Sequence, residues 1–538
     1  MSVIPGRRAR NRPRRLALPV RARPHRVGVR YFQQVEDALC RAAAPDGVPE
    51  DNEKGVLGWG TSWRMQGYLL MAERTGDPGY VTRLADLVDR VLAARDDERG
   101  AVDHRGRSEP VWSTAHKFTA ATAAVPDERG VTALEVTVCP PRALHTQVTV
   151  RPEGDGDGSR FSLTVTGPGR PPFTVSGLSL DPADPHRADR ALYAAYDQRS
   201  AVTGRLVGPE AAVGPGAGPR PAPIAGSGPR RRVRAGEYAV RPARVALAAQ
   251  TGMITYPMAG LIRLAREKRT GRTVPTAVRA RLDGYLDAVV RAVRVHDEQW
   301  QQLSDGRGCY RWLPDEPVSF AGAELPTNEF LAMARTLVHL AALTGDAEHA
   351  ERAAAMARSL RADLADREGC AVWPYWPGFG RVHNGWAATG DPATDGSHYR
   401  PSYAPVTVPE DVTHALIDLD FLHLYHRQPP GLLPPVFTDG DLRAVATTFT
   451  RNVVERASLP DALPDAQRSR PRMRHDVGGD GRPGTDREQA HVAAWLPLRG
   501  WSPDRDFAGL IAAIHPAAPP PPAMGVDAYC GALLARWG

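Results

Sequence analysis

Between Trp63 and Asp97 the chain passes through an apolar segment with helical spacing, a Thr-Gly-Asp turn and a second such segment. Between Asn328 and Arg367 it does so again. Helix–turn–helix units of this kind bury one face only when stacked on neighbours, so the repeat restricts the chain to architectures of packed helical pairs. The turn can be read from its residues. Gly76 and Gly345 suit the left-handed conformation that stops a helix, and Asp77 and Asp346 suit the cap of the helix that follows. A third pair is read at 250–300, and a fourth runs from VTHALIDLDFLHLYH (412–426) into TDGDLRAVATTFTRNVVE (438–455). The expected fold class is mainly α: an α/α toroid of stacked helical hairpins with an inserted β-rich domain, in which 29–107 and 245–455 share one body.

The stretch 110–243 differs in kind. ALEVTVCP and RFSLTVTGP alternate with the period of strands and are punctuated by Gly and Pro. GPEAAVGPGAGPRPAPIAGSGPRRR (208–232) has the composition of a flexible linker. The expected organisation is a disordered basic tail at 1–28, helical parts at 29–109 and 244–538, and the insert at 110–243.

Charge narrows the partners. The first thirty residues hold ten Arg and no acid, and removing those ten charges from the formal +7 leaves the remainder at −3. A mildly acidic body lacks the electrostatic footprint of a nucleic-acid binder. Apolar runs are short and interrupted, so no membrane span is expected. LALPV is too short for a secretory core, which places the protein in the cytoplasm by default, or outside the cell if the start is misassigned. The five scattered cysteines have no ligand spacing. H-E-x-x-H, EF-hand, phosphate-loop and G-x-S-x-G patterns are absent, so no metal and no cofactor is expected.

In Asn328, Ala332, Ala334, Arg335 and Leu337, then Thr344-Gly345-Asp346, and in the aromatic clusters Trp59–Trp63 and Trp373-Pro374-Tyr375-Trp376, the helical portion resembles the α/α-toroid carbohydrate-active enzymes. These include glucuronyl C5-epimerases, uronate polysaccharide lyases and unsaturated-uronide hydrolases. The resemblance implies a glycan substrate and transfers no catalytic motif residue by residue. The insert, through Phe173 and Leu178-Ser179-Leu180-Asp181, is similar to a β-domain of contractile tail-sheath proteins, departing at Ala194 or Ala195, where those usually carry an Asn. It is a candidate docking element for a protein partner.

Chemistry-bearing residues cluster in three places. In PEDVTHALIDLDF (409–421), a helix would put Asp411, His414 and Asp418 on one face. Carboxylates in apolar company and a His between them suit general acid–base work, the alternative being a capped helix end with a core histidine. His296 and Asp297 end the third helical pair with Tyr310 and Trp312 close behind. The aromatic set Trp59, Trp63, Trp373, Tyr375, Trp376, Trp386, Tyr399 and Tyr403 offers flat platforms for sugar rings, and Arg64 suits a uronate carboxylate. The expected activity is proton abstraction from a uronate-containing oligo- or polysaccharide, by a lyase or C5-epimerase, with His414 as base, Tyr399 or Tyr403 as proton donor and Arg64 as cation. A glycoside hydrolase using paired carboxylates among Asp411, Asp418 and Asp297 is the alternative, and a non-catalytic glycan-binding or assembly protein a further one.

Overall fold

Gly76 and Gly345 each stop a helix at φ near 70°, and the Asp77 and Asp346 side chains each accept a backbone N–H of the next helix. The computed structural model describes residues 24–42, 49–139, 143–154, 159–197, 200–208, 231–268, 270–390, 395, 397, 399–400, 402–455 and 471–538. Most of the expected tail (1–23) and linker (209–230) therefore lies outside the described residues. Residues 24–28, expected in the tail, begin a helix instead.

The main helices are α1 (Pro24–Ala42), α2 (Ser62–Thr75), α3 (Pro78–Ala93), α4 (Ala188–Ala194), α5 (Ala248–Arg266), α6 (Leu282–Arg294), α7 (Thr327–Thr344), α8 (Ala347–Asp363), α9 (Ala415–His426), α10 (Asp439–Thr448), α11 (Phe507–Ile514) and α12 (Gly525–Trp537). Helix α2 packs between α12 and α5, α5 on α7, and α7 on α9, while α3, α6 and α8 pack against α2, α5 and α7. Small residues permit the close crossings. The Gly252 Cα faces the backbone of Ala332 and Met333, where an added Cβ would lie 2.4 Å from Met333 N.

Helices α2, α5, α7, α9 and α12 run with their N-termini to one side. Gly58, just before α2, lies against Gln250 at the start of α5; Asn328 at the start of α7 reaches Glu410 just before α9; Gly525 of α12 abuts Gly60. At the opposite ends Arg263 of α5 meets His339 of α7 at 3.1 Å and Gln428 past α9 at 2.8 Å. No helix among the described residues is long and apolar enough to cross a membrane.

The mainly α toroid expected from the sequence is corrected by the secondary-structure content. Helix makes up 47% and strand 17%, with the strands in several small antiparallel sheets. Strands β1 (Ala121–Pro126), β2 (Thr132–Val138), β3 (Gln147–Pro152), β4 (Arg160–Thr166), β5 (Phe173–Ser179), β6 (Val202–Leu206), β7 (Gly236–Ala239) and β8 (Arg241–Pro242) form two four-stranded sheets, β6-β2-β1-β8 and β5-β4-β3-β7. They enclose their own apolar core around Val136, Val148, Phe161, Leu163 and Val165. The remaining strands are ribbons two or three residues long between helices, such as Ala365–Arg367 with Cys370–Val372. Ribbons this short have no period-2 pattern to register in a sequence.

The sheets leave the helical body through one paired doorway. Thr114 bridges Val245, the Ala243 N–H donates to the Ala120 carbonyl at 3.0 Å, and Ala121 pairs with Pro242. Elsewhere they touch the body where the Ala120 N–H donates to Pro317 O, the Cys139 thiol to Tyr399 O, and the Tyr193 hydroxyl to Asp395.

Candidate active site

Three backbone segments hold the site in place. Glu410 N–H donates to Trp373 O and Tyr375 N–H to Val408 O, tying 373–375 to 408–410. Val412 N–H donates to His475 O and Val477 N–H to Glu410 O, adding 475–477 on the other flank. Asp411 then organises the turn into α9. Its Oδ1 accepts the N–H groups of Thr413 (2.8 Å) and His414 (3.1 Å), and its Oδ2 lies 2.6 Å from His414 Nδ1. His414 is the N-cap of α9, so Asp411 precedes the helix rather than sharing its face.

The site has two layers. Asn328, Trp373, Glu410 and Asp418 are fully buried. Trp373 Nε1 donates to Asp418 Oδ2 at 2.8 Å, Asn328 Nδ2 to Glu410 Oε2 at 3.3 Å, and the two carboxyls meet each other. Burial, then the charges of Asp418 and Asp411, pushes Glu410 well up. Burial likewise raises Asp418 against the opposing hydrogen bonds of Trp373 and Glu410. Two carboxyls so placed hold a proton between them, because like charges in contact cannot both ionise away from water.

The outer layer is Glu329, Tyr375, Asp411 and His414, all half-buried. His414 is the most open of the His–Asp pair, its side chain 39% exposed against 20% for Asp411. Burial alone would lower the imidazole, but the hydrogen bond and charge of Asp411, with Glu329 and Asp418 beyond, hold its pKa above the ordinary value. Burial opposes the ionisation of Asp411, yet the bonds from His414 and Thr413 keep its carboxylate well below the usual range. Burial lifts Glu329 to about 7, with His414 pulling against it. The phenol of Tyr375 is pushed up by burial and then by Glu329, Glu410 and Asp411.

An aromatic strip leads away from His414. Tyr375 meets the imidazole edge-on at 5.3 Å and Trp376 at 5.5 Å; Phe320 follows at 5.0 Å from Trp376 and Tyr403 at 5.3 Å from Phe320. On the far flank His475 Nδ1 lies 2.9 Å from Glu488, which Arg482 also holds.

The structure thus gathers Asp411, His414, Asp418, Trp373 and Tyr375, with Trp376 and Tyr403 continuing the strip. The other sequence candidates lie elsewhere. His296 is buried, bonded to Gln299 Oε1 at 2.6 Å and Thr251 Oγ1 at 2.9 Å, and burial lowers it to about 4. Asp297 pairs with Arg352 at 2.6 Å. Arg64 is gripped by both Glu36 oxygens and by Tyr68. Trp63 packs on Tyr529, with the buried Arg335 over its ring. Trp59 is half-buried against the helical core, and Tyr399 sits at the junction with the sheets. Glu329 and Glu410 are not evident from sequence. Glu410 precedes the helix, and its contact with Asn328 comes from a distant element.

No family model matches the chain, and neither the curated proteins nor the solved structures provide a match.

Proposed function

We propose that the protein is an enzyme that abstracts a proton from a uronate-containing oligo- or polysaccharide. The observation that carries this reading is the Asp411–His414 pair, 2.6 Å apart, open to solvent and bordered by Tyr375. A carboxylate on Nδ1 fixes the imidazole tautomer and raises its basicity, leaving Nε2 to take the proton next to the uronate carboxylate. Tyr375, whose phenol stays neutral, replaces Tyr399 and Tyr403 as the proton donor to the departing oxygen. Arg64 is spent on Glu36, so a protonated Glu329 is the group that hydrogen-bonds the substrate carboxylate and offsets charge developing there. Tyr375, half-buried beside His414, offers a ring to the C–H face of a neighbouring sugar, with the buried Trp376 and Tyr403 backing it.

One observation favours glycoside hydrolysis as a second reading. Glu329 is raised to about 7 while Asp411 is held ionised, the divergence that separates an acid from a base or nucleophile. A panel of uronate polymers separates the readings. Near-ultraviolet absorbance of an unsaturated product supports elimination, solvent deuterium at C5 without cleavage supports epimerisation, and reducing ends without absorbance support hydrolysis. Binding with no product on any polymer removes the catalytic reading and leaves a glycan-binding protein.

A further inference from the structure

The same groups present a second chemistry, independent of any substrate. Glu410, Asp411 and His414 each offer one donor atom, and these atoms all lie within 4.8 Å of one another. A single ion with bonds of about 2.0–2.2 Å can touch all three after small side-chain adjustments. One more oxygen beside them lacks a donor: Asn328 Oδ1 has no hydrogen-bond partner, and the residue is fully buried. Asn328 already lies against Glu410, its Nδ2 3.3 Å from Oε2, and the Asp418 carboxyl meets Glu410 as well. A pocket of acceptors short of donors is what a cation satisfies.

We propose that Glu410, Asp411 and His414 bind one divalent transition-metal ion, with Asp418 and Asn328 as the adjoining oxygens, and that occupancy silences the acid–base use of the site. One imidazole among carboxylates selects Zn²⁺ or Mn²⁺ over Ca²⁺ and Mg²⁺, which take oxygen alone. The exclusion follows from electron counting. A neutral imidazole has one lone pair, so a metal on either ring nitrogen leaves none to accept a substrate proton.

The test is calorimetric titration of metal-stripped full-length protein with ZnCl₂ and with MnCl₂, near neutral pH. The expected result is one ion per chain, binding weakened about 100-fold or more in Glu410→Gln and in His414→Asn, and unchanged in the surface variant His186→Ala. Ca²⁺ and Mg²⁺ at the same concentrations give no heat. Far-ultraviolet circular dichroism checks that each variant is folded, and Mn²⁺ broadening of the His414 ring resonances in the unmodified protein reads the site without substitution. Absent binding, binding indifferent to Glu410→Gln, preference for Ca²⁺, or no broadening at His414 overturns the proposal. An inactive polymer panel would overturn the functional reading alone.

Discussion

Two histidines proposed for chemistry from sequence differ in what surrounds the ring. His414 is open and has one anchoring carboxylate; His296 is buried and bonded at both nitrogens. His414→Ala is expected to lower turnover about 10²–10⁴-fold with little change in melting. His296→Ala leaves Thr251 and Gln299 without their partner and should lower stability by about 1–3 kcal/mol while sparing specific activity at low temperature. Paired melts and rate assays decide. If His414 is the base, turnover rises with pH as the imidazole loses its proton. Because Asp411 raises that pKa, Asp411→Asn should move the acid limb of the rate profile to lower pH, besides slowing the reaction. Glu329 adds a stability signature. Its carboxyl sits at about 7 when folded against about 4.3 unfolded, so the native state holds the proton more tightly. That contribution is complete below the unfolded value and lost as pH rises through the folded one. Urea unfolding between pH 5 and 8 should show stability falling with pH, and less steeply in Glu329→Gln. The pairing of Asp411 with His414 was legible because a spacing of three brings two side chains together in a turn as well as in a helix. Arg64 was not, since its partner Glu36 lies on α1 and no local pattern announces that contact.

At the level of elements, the Thr-Gly-Asp turns are readable because one residue type solves each backbone problem. Gly345 stands at φ 70° with open space where a Cβ would go. Gly345→Ala should therefore lower stability only by the left-handed penalty of about 1–2 kcal/mol. Gly252 is the opposite case, helical in backbone but pressed against α7. Gly252→Ala must move α5 from α7 and should be the more damaging of the two; equal melting temperatures for both variants would refute this close-crossing argument. The sequence shows a glycine at both places without distinguishing them, because the second role depends on a neighbour some eighty residues away. The same limit hid the short ribbons between helices, whose pairing comes from the packing of the helices they join.

At the scale of the whole molecule, the sheets and the aromatic strip are joined through Asp395, Arg381 and the Trp386–Tyr403 bridge. Tyr193 holds Asp395, Arg381 donates to the Asp395 carbonyl and lies over Trp386, and Trp386 pairs with Tyr403. If substrate is bound on this side of His414, Tyr193→Phe should loosen the Asp395 contact and raise KM for long substrates with little change in kcat; an unchanged KM would disconnect the sheets from substrate binding. The doorway at Ala120 and Ala243 has another consequence. Because the two strands that leave the body are already hydrogen-bonded neighbours there, everything beyond them is topologically the tip of a hairpin. Such a tip is exchangeable: a two-residue Asn-Gly turn joining Ala120 to Ala243 closes the body with no rerouting of its helices, and another domain with adjacent ends fits the same socket.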